Sequence, residues 1–81
     1  MTRNKIIVLG ATGYTGKIIC QQLEKKNIRF SAGARSLAKL EEMKFESIEQ
    51  SIEFDILNED HFDRISGFNI VINCIGPFNI Y

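Results

Sequence analysis

Three glycines, Gly10, Gly13 and Gly16, recur every third residue in Gly10-Ala11-Thr12-Gly13-Tyr14-Thr15-Gly16, and the chemistry they offer is that of bare main chain. An oxyanion such as a diphosphate needs several donors converging on it. A helix that begins inside a glycine turn supplies them, because its first N–H groups have no partner and its N-terminus carries roughly half a positive charge. Each glycine has a task in such a turn. Gly10 makes the tight bend, Gly13 lets backbone approach the phosphates, and Gly16 lets the helix pack close to the preceding strand. The N–H groups around Tyr14 and Thr15 aim at the anion, and the hydroxyls of Thr12 and Thr15 add donors. The Gly-Lys-Ser/Thr ending of a nucleoside-triphosphate loop is absent.

The flanking elements decide whether the glycines mean anything. Ile6-Ile7-Val8-Leu9 is a short unbroken apolar run, as in a parallel strand covered on both faces. From Thr15 to about Lys26, Ile18, Ile19 and Leu23 share a helical face, while Lys17, Gln21, Gln22, Glu24 and Lys25 mostly take the other. Ile28 to Ala34 alternates apolar and polar or small residues, predicting a second strand with one better-buried face. Ser36 caps a short helix that turns Leu37, Leu40 and Met43 inward, and Lys44 to Gln50 shows no clear period. Ile52, Phe54 and Ile56 alternate with Ser51, Glu53 and Asp55 as a third strand. Asn58 then caps a helix with Glu59 and Asp60 in its first turn, and Gly67 stops it. Ile70 to Ile75 forms a nearly all-apolar fourth strand before Gly76-Pro77.

Strands alternating with helices predict an α/β fold: a Rossmann-type parallel sheet with helices on both faces, partial, of about four strands in the order 3-2-1-4. Strand three carries the polar alternation that an exposed edge tolerates. Strand four reads as one that expects a neighbour, which predicts self-association through its uncovered edge.

In such a sheet the end of strand two, about 20 residues past the glycines, reads the adenosine ribose, and an acid there grips the 2′-hydroxyl. No acid occurs between Glu24 and Glu41, and Arg35 and Ser36 stand in that place. A guanidinium that forks onto a phosphate, beside a hydroxyl and with Lys39 one turn on, predicts NADP(H) rather than NAD. Asp55, ending strand three, is a candidate for the adenine, and Asn73 to Gly76 end strand four beneath the cofactor. The expected cofactor-binding set is Gly10, Thr12, Gly13, Tyr14, Thr15, Gly16, Arg35, Ser36, Asp55, Asn73 and Gly76.

No catalytic group emerges. Tyr14 and Lys17 are three apart rather than forming a Tyr-x-x-x-Lys pair, and Tyr81 is the last residue. His61 reads as a surface or capping residue on the side away from the cofactor, Cys20 as core filler, and Cys74 as a packed thiol kept inert by apolar surroundings. Two distant cysteines and one histidine predict no disulfide framework and no metal site, only reduced thiols in a cytoplasmic protein. Ten basic residues balance ten acidic ones, so no net field draws nucleic acid, and no apolar run is long enough for a membrane. With 81 residues the chain reads as the N-terminal part of a single NAD(P)-binding domain without a substrate domain.

Gly10 to Gly16, Gly33-Ala34-Arg35-Ser36 with Lys39-Leu40, Asp55, and Val71-Ile72-Asn73-Cys74-Ile75-Gly76-Pro77-Phe78 together resemble the saccharopine dehydrogenase-like oxidoreductases, a group that includes trans-acting enoyl reductases. The resemblance spans almost the whole chain, Asn73 to Phe78 being its most specific part. Ala34 departs from it, where a Gly often precedes the Arg. It implies an NADP-dependent oxidoreductase in which this chain supplies the pyrophosphate and 2′-phosphate sites, and a further α/β domain supplies the substrate pocket. These residues alone are not expected to be active. Two other readings keep the same residues: a non-catalytic NADP-sensing regulator, and an isomerase or epimerase of the extended short-chain group, whose mark is a Tyr-x-x-x-Lys pair beyond residue 81.

Overall fold

A computed structural model describes residues 4–75. Its elements are β1 (Ile6–Leu9), α1 (Tyr14–Lys25), β2 (Phe30–Ala34), α2 (Leu37–Glu42), β3 (Ile48–Glu53), a 3₁₀ helix (Glu59–Ile65) and β4 (Ile70–Asn73). All pairings are parallel and the order is β3-β2-β1-β4, as expected. Side chains alternate along β1 and so build two cores. Val8 joins Phe30, Ala32, Cys20 and Leu40 on the face covered by α1 and α2. Ile7 and Leu9 join Phe54, with Ile65 and Phe68, on the other.

Every residue of β2 is buried, Ser31 and Gly33 included, which corrects the expectation of one favoured face. The strand lies between β1 and β3 and is covered above and below, so its polar positions are filled by small residues. Ile28 and Arg29, which extended the alternation, precede the strand. Ile28 belongs to the close of α1, where Asn27 turns left-handed at φ 58, and Arg29 pairs with Glu49 of the third strand at 3.0 Å. The Asn27 N–H donates to the Glu24 carbonyl at 3.1 Å and the Ile28 N–H to the Leu23 carbonyl at 3.0 Å, a paired closure that satisfies the last carbonyls of the helix.

The largest departure is in β3, which begins at Ile48 and ends at Glu53 instead of running to Ile56. Phe30 pairs with Ile48 but Ala32 pairs with Ser51, so two steps along β2 match three along β3. The extra residue is a bulge, and one extra residue exchanges the two faces of a strand. Ile48 therefore packs with Phe30 and Leu40, while Ile52 packs on the opposite core.

Ser36 caps α2 as expected, its Oγ accepting the Lys39 N–H at 3.2 Å. Leu37 is 40% exposed rather than inward. Residues three apart on a helix sit about 60° round from one another, so a six-residue helix centred on buried Leu40 leaves Leu37 at the margin. The helix expected after β3 is a 3₁₀ helix, capped by Asn58, whose Oδ1 accepts the Asp60 N–H at 3.0 Å. Gly67 follows it without a left-handed conformation. Ser66 closes it instead, its N–H and hydroxyl both donating to the Asp63 carbonyl.

β4 lies at the sheet edge with no partner on its outer side among the described residues, and Ile70 and Val71 are part-exposed there.

One contact outside the sheet ties α1 to the start of β3. Glu24 Oε1 accepts the Ser47 N–H at 2.9 Å. That bond, helped by the Ser47 hydroxyl and Glu46 N–H and opposed by partial desolvation, holds the Glu24 carboxyl below its usual value of 4.5. A carboxyl lowered on folding contributes stability at neutral pH that is lost as pH falls through its folded value. Glu24→Gln is therefore expected to lower the thermal midpoint at neutral pH, with the gap from wild type closing as pH falls below the usual carboxyl value of 4.5 and through the lowered folded one. A gap that stays constant between pH 7 and pH 3 would show that the carboxylate charge plays no part.

Candidate functional site

The glycine turn is built by collisions that only glycine avoids. Gly10 has φ +75, and a Cβ there would lie 2.9 Å from the Cys74 carbonyl group and the Ile75 nitrogen. A Cβ at Gly16 would run into the Gly10 carbonyl oxygen and come within 2.8 Å of Ala11 Cα. Both positions let α1 start hard against the ends of β1 and β4. The Gly10 and Ala11 N–H groups donate to the Gly33 carbonyl at 2.8 and 3.1 Å, and the Gly13 N–H donates to the Gly10 carbonyl at 3.1 Å. Gly13 is the N-cap of α1, has no side chain to cap with, and is followed by no acid in the first turn. The N–H groups of Tyr14, Thr15 and Gly16 thus open the helix without a partner among the described residues, an arrangement that favours an anion.

A cleft of about 520 Å³ runs over the carboxyl ends of the strands. Gly10, Thr12 and Gly13 line it from the turn, Ala34 and Arg35 from the end of β2, Phe54 to Leu57 from the turn after β3, and Cys74 and Ile75 from beyond β4. Arg35 is exposed and forms no ion pair among the described residues. The Ser36 oxygen is engaged by the Lys39 N–H, which leaves the hydroxyl proton to donate.

Asp55 closes the far side. Its Oδ1 accepts the Leu57 N–H at 3.0 Å, its carbonyl accepts the Asn58 N–H at 2.9 Å, and its own N–H donates to His61 Nδ1 at 2.9 Å. His61 is buried beside Phe54, which corrects its expected surface position away from the cofactor side. A β3 that stops at Glu53 leaves the Asp55 N–H outside the sheet, and the imidazole is the acceptor it finds.

Of the expected binding residues, Gly10, Thr12, Gly13, Arg35 and Asp55 come together on this cleft. Tyr14, Thr15, Gly16 and Ser36 adjoin it without lining it, Tyr14 being 85% exposed. Asn73 turns its amide to its own chain, Oδ1 accepting the Ile75 N–H at 3.0 Å. Gly76 lies outside the described residues. Lys39 lines a neighbouring groove of about 400 Å³ between α1 and α2, which shares Thr12 with the main cleft. Phe54, Ile56 and Leu57 line the cleft without being expected there, because a third strand running to Ile56 keeps Phe54 and Ile56 in the ladder and Leu57 just past it, and the same strand leaves His61 without the Asp55 N–H as a partner. Neither thiol is a ready nucleophile: burial, then repulsion from Cys74, pushes Cys20 up to about 11, and burial raises Cys74. Among the described residues no cluster of acids, cysteines and histidine could hold a metal, and no helix is long and apolar enough to cross a membrane.

A parallel sheet whose first crossover opens on such a glycine turn, under a cleft at the carboxyl ends of its strands, is a Rossmann-type nucleotide-binding domain. The chain matches the NAD dependent epimerase/dehydratase family over residues 6–79 and belongs to it, so the cofactor is a nicotinamide dinucleotide. It is similar to the "Lipid droplet localized protein" of Caenorhabditis elegans, 30% identical over 96 aligned positions that take in 100% of this chain and 22% of that protein. The chain thus spans about a fifth of the length of this curated relative. In structure it is similar to the oxidoreductase ylbE from Lactococcus lactis, with a TM-score of 0.76 and 25% identity, covering 90% of this chain and 33% of that one.

Proposed function

We propose that the chain is the adenosine and pyrophosphate half of the cofactor site of an NADP-dependent oxidoreductase of the saccharopine dehydrogenase-like kind. A substrate domain elsewhere in the protein would complete it. The observation that carries the choice of NADP is Arg35: it stands on the cleft at the end of β2 with no carboxylate partner among the described residues, and no acid occupies the place where a ribose 2′-hydroxyl would be gripped. A guanidinium there offers two parallel donors to a 2′-phosphate, and the Ser36 hydroxyl adds a third. The narrower family likeness is supported by the Asn73-Cys74-Ile75-Gly76-Pro77-Phe78 segment, and oxidoreductase chemistry by the similarity to ylbE. The free thiols Cys20 and Cys74 suit a cytoplasmic setting.

Calorimetric titration of the full-length protein with NADPH and NADH tests the reading. NADPH is expected to bind at least about tenfold more tightly, and Arg35→Ala to remove that preference while leaving NADH unchanged, since a charge-assisted pair contributes about 1.5–3 kcal/mol. Equal affinities for the two cofactors would end the NADP assignment. The family match favours a second reading, an epimerase or dehydratase that returns its cofactor unchanged. Stoichiometric oxidation of NADPH by substrate, and no Tyr-x-x-x-Lys pair later in the protein, would exclude it.

A further inference from the structure

We propose that His61 is a positioning residue for the adenine side of the cleft: its neutral imidazole holds the Asp55–Leu57 turn in the shape a nucleotide meets, and its protonation releases that turn. The proposal rests on the reading of the cleft as an adenosine site. His61 is only 8% exposed, and its Nδ1 accepts the Asp55 N–H at 2.9 Å. Its own N–H donates to the Asn58 carbonyl at 3.0 Å, so the same residue closes the first turn of the 3₁₀ helix. A main-chain N–H can only donate, so Nδ1 must carry a lone pair and the ring proton must sit on Nε2.

Asp55 is then committed on three sides: its N–H to His61, Oδ1 to the Leu57 N–H, and its carbonyl to the Asn58 N–H. The remaining acceptor sites of the carboxylate and the rim formed by Phe54, Ile56 and Leu57 are left to meet a ligand. The shape of that rim depends on one imidazole six residues along the chain.

Protonation makes both ring nitrogens donors and sets two N–H groups against each other at Nδ1. Imidazole is the side chain that changes charge between about pH 5 and pH 8. Among the described residues no side-chain nitrogen or oxygen is both buried and unpartnered, so Nε2, which none of them engages, reaches water and can exchange a proton. The strand end packed against His61 carries Asp55 and Glu53, the latter 3.8 Å from Arg64, and its own helix carries Glu59, Asp60, Asp63 and Arg64. The core beneath Phe54 is apolar, formed by Ile7 and Leu9. Carboxylates and guanidinium groups ordinarily change charge outside the range of imidazole.

The test is calorimetric titration of the full-length protein with ADP-ribose at about pH 7.5 and about pH 5.5, a probe with the diphosphate but without a 2′-phosphate that titrates near pH 6. Wild type is expected to lose about fivefold or more in affinity at the lower pH, the scale of one broken hydrogen bond. His61→Asn, whose amide oxygen accepts at any pH, should keep the neutral-pH affinity and show a flat profile. His61→Phe, a ring without an acceptor, should bind more weakly at both pH values. A flat wild-type profile, or the same slope in His61→Asn as in wild type, overturns the proposal, and the His61→Asn slope decides alone if His61→Phe does not fold. Absence of ADP-ribose binding at both pH values overturns the site reading and this proposal with it.

Discussion

Gly16→Ala is expected to lower the thermal midpoint by roughly 12–24 °C, or to abolish a cooperative transition altogether. The added methyl group would overlap the Gly10 carbonyl oxygen and press on Ala11 Cα. Neither atom belongs to a side chain that can rotate away. Relief requires moving α1 off the end of β1, and overpacking of this kind costs about 3 kcal/mol or more. Small domains hold only roughly 5–15 kcal/mol in total. The measurement is a calorimetric or circular-dichroism melt of purified wild type and variant. A midpoint within about 3 °C of wild type would mean that α1 does not sit as close to the turn as the structure has it.

Gly13→Asp, three residues earlier, should do the opposite. Gly13 has extended backbone, φ −79 and ψ 174, which any residue adopts, and a Cβ there meets only the Gly10 oxygen at an ordinary 3.4 Å. Gly13 is also the uncapped N-cap of α1. An Asp at that position caps the open N–H groups and complements the helix dipole, so stability should hold or rise by a few tenths to about 1 kcal/mol. Cofactor binding should nevertheless fall by more than about 100-fold, because unit charges about 4 Å apart near a protein surface repel by about 4 kcal/mol. Titration with NADPH beside a melting curve separates the two effects. An unchanged affinity in a folded Gly13→Asp protein would mean that no diphosphate lies at the start of α1.

The contrast between these two glycines marks what the sequence makes legible. Gly10 and Gly16 are set by backbone passing backbone within a few residues, and Ile6 to Leu9 by burial on both faces, so local spacing carries the information. Strand order follows from the alternation of elements and the handedness of crossovers. The bulge in β3 is different, because an extra residue has meaning only against the register of β2, which lies 18 residues earlier at Phe30 and Ile48. Without it the third strand is drawn too late. Asp55 and Ile56 are then taken for ladder residues, and His61 is left with nothing to accept. Leu37 misled for a related reason: its inward spacing is correct, but α2 is too short to bury a stripe wider than Leu40.

The Gly33 carbonyl receives two donors, the N–H groups of Gly10 and Ala11, one residue before Ala34 and two before Arg35. On the proposed NADP reading, the loop offered to the diphosphate and the strand end offered to the 2′-phosphate therefore hang from a single atom. Their spacing is a fixed length rather than an adjustable one, so the cleft acts as a ruler: a ligand whose two phosphates are wrongly spaced can satisfy one end only by abandoning the other.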